Sequence, residues 1–82
     1  YMKKYIFVVY SKNGCPACSK LKEFLNLSKV DHVIYTLDEH FAKDDFHNEF
    51  GENATFPQVL CDNKIIGGLR ESVMFFKENN LL

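Results

Sequence analysis

The sequence predicts an α/β fold: one four-stranded mixed sheet with helices on both faces, in the order β-α-β-α-β-β-α. Short runs rich in β-branched and aromatic residues alternate with segments whose apolar residues recur at helical spacing. The last two of these runs flank the turn-forming pair Asp62-Asn63, which indicates an antiparallel hairpin. Because the 82 residues contain no internal repeat or linker, we expect a single domain over residues 1–82.

The first half of the chain supplies two strands and the helix between them. Residues Tyr5–Tyr10 form a continuous apolar run, which is typical of a strand buried on both faces. Pro16 suits the first turn of a helix, where a missing N–H costs nothing, and apolar residues at helical spacing extend this helix to about Leu27. A second run, Val33–Leu37, predicts a strand parallel to the first, because a helix crosses between them.

The second half adds two helices around the hairpin. The charged segment Asp38–Phe50 carries phenylalanines at helical spacing and therefore predicts a helix. The strands Gln58–Cys61 and Lys64–Ile66 form the hairpin. Apolar residues at helical spacing then predict a last helix, which runs from Leu69 to about Asn80.

The composition excludes several classes of function. Ten basic and eleven acidic side chains give a formal net charge of −1, which offers no electrostatic footprint for nucleic acid or for an anionic membrane. No apolar run approaches the roughly 18 residues of a membrane span. The apolar run near the start is too short for a signal peptide and lacks a cleavage site. We therefore expect no nucleic-acid or membrane partner. Three cysteines, two of them as C-x-x-C, in a chain without a secretion signal favour a reducing cytoplasm, and a monomer is the default expectation.

The chemistry is expected at Cys15-Pro16-Ala17-Cys18, which follows a strand and opens a helix. The unpaired N–H groups and the positive dipole end of a helix start stabilise a thiolate over a thiol. A free thiol has a pKa of about 8.5, whereas C-x-x-C cysteines at helix starts fall to roughly 3.5–7.5. Cys15 is therefore the candidate nucleophile, and Cys18, one turn deeper, is the candidate resolving thiol. Pro16 stiffens the turn between them.

Several alternatives stay open at these positions. Lys12 lies three residues before Cys15, where it is either a cation that favours the thiolate and binds an anionic substrate, or an ordinary solvated lysine. C-x-x-C can be half of a zinc site in a non-enzymatic module, or Cys15 can hold a [2Fe–2S] cluster across a dimer. Cys61 and the three histidines form no second close pair of ligands, so we expect no metal. Cys61 is expected in the core, and the histidines on solvated faces.

Taken together, the motifs resemble those of the glutaredoxins. Ser11-Lys12-x-x-Cys15-Pro16-x-Cys18, Thr55-x-Pro57 and Gly67-Gly68 occur in the family's order, in a chain of the family's length. The resemblance implies a thioredoxin fold. The small size suggests a compact glutaredoxin of the kind that bacteria and their viruses carry.

The resemblance also implies roles for individual residues. Cys15 would attack and Cys18 would resolve. Pro57 would be cis, so that the backbone of Thr55 and Phe56 could pair with a substrate peptide by strand addition. Lys12 would neutralise the glycyl carboxylate of glutathione, which would serve as a reducing co-substrate and not as a bound cofactor. The implied substrate-binding set is Lys12, Pro16, Ala17, Thr55, Phe56, Pro57, Gly68, Glu71 and Ser72.

Two positions depart from the family pattern. Ala17 stands where glutaredoxins usually carry Tyr or Phe. Arg70 stands where an acidic residue usually binds the γ-glutamyl amine, so Glu71 or Ser72 would have to substitute. The expected function is a glutathione-dependent thiol–disulfide oxidoreductase that reduces protein disulfides or protein–glutathione mixed disulfides. The departures favour one alternative: a glutaredoxin-like electron donor to ribonucleotide reductase that is reduced by thioredoxin reductase.

Overall fold

Strands and helices alternate in the predicted order along residues 5–81, the part of the chain that this computed structural model describes. The elements are β1 (Ile6–Ser11), α1 (Pro16–Ser28), β2 (Asp31–Thr36), α2 (Lys43–Phe50), β3 (Gln58–Cys61), β4 (Lys64–Gly67) and α3 (Leu69–Glu78). The sheet has the order β2-β1-β3-β4, and only the β1–β2 pair is parallel. This confirms the predicted fold class. Among the described helices, none has the length and apolar composition that crossing a membrane requires.

One face of the sheet carries the hydrophobic core. Phe7 and Val9 of β1 have no exposed surface, because alternate residues of a strand point to the same face. Leu21 and Leu25 lie four residues apart on one side of α1 and are also fully buried. Phe76 of α3 completes the contact, with its ring 5.1 Å from that of Phe7. The packing of α1 against this face fixes where the first turn of α1 lies relative to β1.

The helix α2 is attached to the opposite face through five aromatic rings, which we call the aromatic cluster: Tyr10, Phe41, Phe46, Phe50 and Phe56. Tyr10, on the second face of β1, has its ring 5.1 Å from each of the Phe41 and Phe50 rings. Phe46 of α2 is only 1% exposed. The Phe56 ring stacks on Phe46 with centroids 4.2 Å apart and an interplanar angle of 14°. The cluster therefore attaches both α2 and the segment before β3 to the end of the sheet.

The second face of β1 is less covered than its apolar run predicts. Ile6 is 54% exposed, and Val8 is half-buried. The helix α2 has eight residues, and its aromatic contacts with β1 are made at Tyr10, near the end of the strand. Helices do lie on both faces, but the prediction that β1 is buried on both faces is wrong for Ile6.

The helix α2 also begins later than predicted, at Lys43 and not at Asp38. Asp38 has a φ of 69°, outside the right-handed helical region. Residues 38–40 form a turn, in which the Thr36 amide donates to His40 Nδ1 at 2.9 Å. Local hydrogen bonds to a polar side chain thus compete with the helix and delay its start.

Candidate active site

The start of α1 brings the two cysteines together. Cys15 is the N-cap, with φ −107° and ψ 106°, and Pro16 opens the first turn. The Cys18 amide donates to Cys15 Sγ at 3.1 Å. One of the unpaired N–H groups of the helix start is therefore aimed at the Cys15 sulfur, as the sequence predicts. Cys15 and Cys18 form a disulfide, with their Cα atoms 5.2 Å apart.

The two sulfurs differ in their access to solvent. Cys15 keeps 9% of its surface exposed, whereas Cys18 keeps 1%. Cys18 lies deeper in α1, on the side that carries Leu21 and Leu25 into the core. An external thiol or disulfide therefore reaches Cys15 before Cys18, and the division into nucleophile and resolving thiol stays a prediction.

The loop before Cys15 is fixed at the sheet and turned by a glycine. Ser11, the last residue of β1, is fully buried, and its Oγ donates to the Tyr35 carbonyl at 3.1 Å. Gly14 has a φ of 72°, a left-handed conformation that favours glycine. The turn leads the chain from the edge of the core into the N-cap, so the position of Cys15 is set by both sheet and helix.

An open cleft of about 450 Å³ lies beside Cys15. Its walls are the loop and first turn around Cys15, one side of α2, and the segment Ala54–Phe56. The cleft unites Cys15 with five of the residues expected to bind substrate, which are Lys12, Pro16, Ala17, Thr55 and Phe56. None of the described residues that line it is acidic. A ligand in this cleft therefore meets mostly apolar surface, together with the side chains of two lysines.

Two further residues of the cleft were not predicted as site residues: Lys43 and His47. They lie four residues apart on α2 and so share one face of the helix. His47 Nδ1 donates to the Gly51 carbonyl at 2.9 Å, which holds the ring at the C-terminal end of α2. Of the three histidines, which were expected on solvated faces, His40 is exposed and His32 and His47 are half-buried. The i, i+4 spacing of two basic residues was the available signal.

Beyond the cleft, the Phe56–Pro57 peptide bond is cis, which agrees with the resemblance. Pro57 is buried. Its carbonyl lies close to Gly68, since a Cβ on Gly68 would be 3.4 Å from that oxygen. Pro57, Gly68, Glu71 and Ser72 are outside the set of described residues that line the cleft.

Glu71 and Ser72 differ sharply in position. Glu71 is exposed, and its Oε1 accepts the Gly68 amide at 2.8 Å, which caps the start of α3. Ser72 has no exposed surface, and its Oγ has no hydrogen-bond partner among residues 5–81. The burial of Ser72 does not fit the expected role of binding a soluble ligand, and Glu71 is the better placed of the two.

Three further observations concern reactive or titratable groups. Cys61 is 7% exposed and packs in the core cluster, as predicted. Within the described part of the chain, no three His, Cys, Asp or Glu side chains are grouped so that they could hold a metal ion. The pKa of Tyr10 is raised above its ordinary value by burial, and further by the charges of Glu49 and Tyr35.

Comparison with known proteins finds matches to one family over most of the chain. The family model described as Glutaredoxin matches residues 7–66. A glutaredoxin of Vernicia fordii is 31% identical over 78 residues, covering 92% of this chain and 75% of the relative. The structure of glutaredoxin 1 from Francisella tularensis, complexed with cacodylate, matches with a TM-score of 0.76 at 23% identity, covering 94% of this chain and 96% of that one. A buckwheat glutaredoxin–glutathione complex matches with a TM-score of 0.75 at 25% identity, covering 92% of this chain and 71% of that one. These matches confirm the thioredoxin-like fold.

Proposed function

The chain belongs to the glutaredoxin family and is a thiol–disulfide oxidoreductase, and on that premise we propose that glutathione is its reducing co-substrate. Its substrates would be protein disulfides and protein–glutathione mixed disulfides. The observation that carries the proposal is the hydrogen bond from the Cys18 amide to Cys15 Sγ, beside a cleft bordered by cations. We place this activity in the cytoplasm, where glutathione keeps thiols reduced, and in a single-domain monomer.

In the first step, the Cys15 thiolate of the reduced protein attacks one sulfur of the substrate disulfide. A bond forms between Cys15 and that sulfur, and the other substrate sulfur leaves with the electron pair and takes up a proton. The amide of Cys18 supports this step because it donates to the sulfur and favours its ionised form. Pro16 has no amide hydrogen, so it offers no competing donor in the first turn.

In the second step, the Cys18 thiol loses its proton and attacks Cys15 Sγ. The substrate leaves as a thiol, and the Cys15–Cys18 disulfide forms, which is the state that the structure shows. A first glutathione thiolate then attacks Cys15 Sγ and displaces Cys18. A second attacks the glutathione sulfur of this mixed disulfide, which yields glutathione disulfide and restores the Cys15 thiolate.

The cleft offers chemistry that suits glutathione. Lys12 and Lys43 border it and supply cations for the carboxylates of the tripeptide. Thr55 is exposed, and the backbone of Thr55 and Phe56 is proposed to pair with the extended peptide by strand addition. For the γ-glutamyl amine we propose Glu71. Its Oε1 caps α3, and its other carboxylate oxygen is the proposed acceptor for the amine.

A turnover assay tests this proposal directly. The reduced protein is mixed with hydroxyethyl disulfide, glutathione and glutathione reductase, and consumption of the nicotinamide cofactor is followed. We expect turnover that Cys15→Ser abolishes and that Cys61→Ala, a matched change at a cysteine outside the site, preserves. Wild-type turnover no faster than that of Cys15→Ser would overturn the proposal.

The alternative is reduction by thioredoxin reductase and electron donation to ribonucleotide reductase. Two features favour it: Ala17 leaves this part of the cleft without an aromatic wall, and Arg70 is an exposed cation beside Glu71. Both would weaken glutathione binding. Rates of reduction of the Cys15–Cys18 disulfide by each donor separate the two functions. Fast reduction by thioredoxin reductase with none by glutathione would favour the alternative.

A further inference from the structure

We propose that Phe56 is a positioning residue for Lys12. Its ring holds the lysine ammonium at the cleft, where the ammonium meets an incoming carboxylate. This inference rests on the proposed function, because it concerns how the cleft recognises an anionic substrate such as glutathione. It assigns the Phe56 side chain a role of its own, separate from that of the peptide backbone at this position.

The first support is the geometry of the pair. Lys12 Nζ lies 5.5 Å from the centroid of the Phe56 ring. This distance is within the roughly 6 Å over which a cation is attracted to the face of an aromatic ring. Both residues line the cleft, Lys12 from the loop before α1 and Phe56 from the segment before β3. The contact therefore joins two segments that line the cleft.

The second support is that the ring itself is held in place. Phe56 stacks on Phe46, at 4.2 Å between centroids and 14° between planes. Phe46 is 1% exposed and belongs to α2. A second phenylalanine, Phe41, lies 6.2 Å from Phe56 at 29°. One face of the Phe56 ring is thus bound to a buried support, and Phe56 is only half-buried.

The third support is what Lys12 would do without the ring. Lys12 is exposed and follows a fully buried residue, so its long side chain has many solvent-directed conformations to choose from. A carboxylate that binds such a lysine must first restrict it, which weakens binding. The Phe56 ring restricts Lys12 in advance. Removing the ring should therefore raise KM for a glutathione-containing substrate and leave kcat unchanged.

A double-mutant cycle tests the pair. Phe56→Leu retains an apolar side chain without a ring face, and Lys12→Met retains a long side chain without the charge. We expect Phe56→Leu to raise KM for a glutathionylated peptide roughly two- to five-fold, the range of an exposed cation–ring contact. In the Lys12→Met background, Phe56→Leu should have no effect on KM. With Lys12 present, Phe56→Tyr keeps a ring and should have the wild-type KM. An equal KM increase in both backgrounds would mean that Phe56 acts through packing alone and would overturn the inference.

A second measurement needs no turnover. In the proton NMR spectrum, the Lys12 side-chain methylene groups should show ring-current shifts in the wild type and in Phe56→Tyr that disappear in Phe56→Leu. Unshifted Lys12 methylenes in the wild type would contradict the inference even if the enzyme is active. An inactive wild type with shifted methylenes would instead overturn the proposed function and leave the Lys12–Phe56 contact standing.

Discussion

The helices α1 and α3 both begin with backbone N–H groups that have no acceptor within the helix. The two starts supply different side-chain acceptors. At the start of α1, a sulfur is the acceptor: Cys15 Sγ takes the Cys18 amide at 3.1 Å, and no acidic residue lies in the first turn. At the start of α3, a carboxylate is the acceptor: Glu71 Oε1 takes the Gly68 amide at 2.8 Å. A carboxylate oxygen caps α3, whereas the acceptor at the start of α1 is a sulfur that carries a negative charge only as a thiolate. The comparison indicates that the α1 start is built for reaction and the α3 start for stability.

The largest expected effect comes from removing the second sulfur at α1. Cys18→Ser keeps the backbone amide that faces Cys15, but no internal disulfide can form. We expect reduction of protein disulfides to be lost, because the mixed disulfide with Cys15 cannot be resolved. Reduction of glutathione mixed disulfides should continue, since a second glutathione can release Cys15. Kinetics with one substrate of each kind check this, and equal loss on both would contradict the assigned division of roles.

At α3 the largest effect is expected from Gly67→Ala. Gly67 has a φ of 130°, and a Cβ there would approach the Glu71 side chain to 2.9 Å. The variant therefore suffers backbone strain and displaces the cap, at a cost of about 1–3 kcal/mol in the free energy of unfolding.

Gly51→Ala is the matched control for this change. Gly51 also has a positive φ, 106°, but a Cβ there would meet nothing within 4 Å. Urea unfolding of both variants should show a larger loss for Gly67→Ala, and the difference reports the clash with Glu71. Equal losses would mean that strain alone matters and that the Glu71 cap contributes nothing.

A smaller effect is expected from Glu71→Ala, which removes the cap of α3 without adding strain. Loss of one such capping feature costs about 0.3–1.5 kcal/mol in the free energy of unfolding. The same variant should raise KM for glutathione if Glu71 also binds the γ-glutamyl amine. Urea unfolding and steady-state kinetics measure the two consequences separately. A free energy of unfolding equal to that of the wild type would contradict the stabilising role of the Glu71 cap at the start of α3.

The smallest effect is expected in the aromatic cluster, on the free energy of unfolding at alkaline pH. Burial raises the pKa of Tyr10, with smaller contributions from Glu49 and Tyr35. A raised pKa in the folded state means that stability is fully present below the ordinary tyrosine pKa of about 10 and falls as the pH rises through the folded value. Tyr10→Phe should therefore lose less stability at strongly alkaline pH than wild type. Measurement on the oxidised protein avoids titration of Cys15 and Cys18, and identical alkaline profiles would contradict this assignment.

The order of the elements and the position of the cysteine pair follow from local sequence, whereas details set by side-chain contacts do not. Apolar patterning, together with the turn-forming pair Asp62-Asn63, was sufficient to predict the order of the strands and helices that the described residues form. The start of α2 was missed because Asp38 adopts a left-handed conformation within a turn held by His40, and residue type alone does not reveal that choice.

The composition of the cleft was only partly predictable for the same reason. Lys43 and His47 enter it because the aromatic cluster fixes how α2 is oriented, which depends on contacts between residues far apart in sequence. Ser72 was expected at the site from its place after the glycine pair, yet the turn of α3 points it inward. Motif spacing identifies which segment meets a ligand, and the helix phase decides which side chain does.

If the start of α1 holds Cys15 as a thiolate, the pKa of the Cys15 thiol in the reduced protein is lowered, and this pKa can be measured. The pH dependence of alkylation by iodoacetamide, located on Cys15 by mass spectrometry, gives this value in the wild type and in Cys18→Ser, which keeps the donating amide. We expect a pKa of roughly 3.5–7.5 in both proteins. A pKa of about 8.5 or higher, the value of an ordinary thiol, would contradict it.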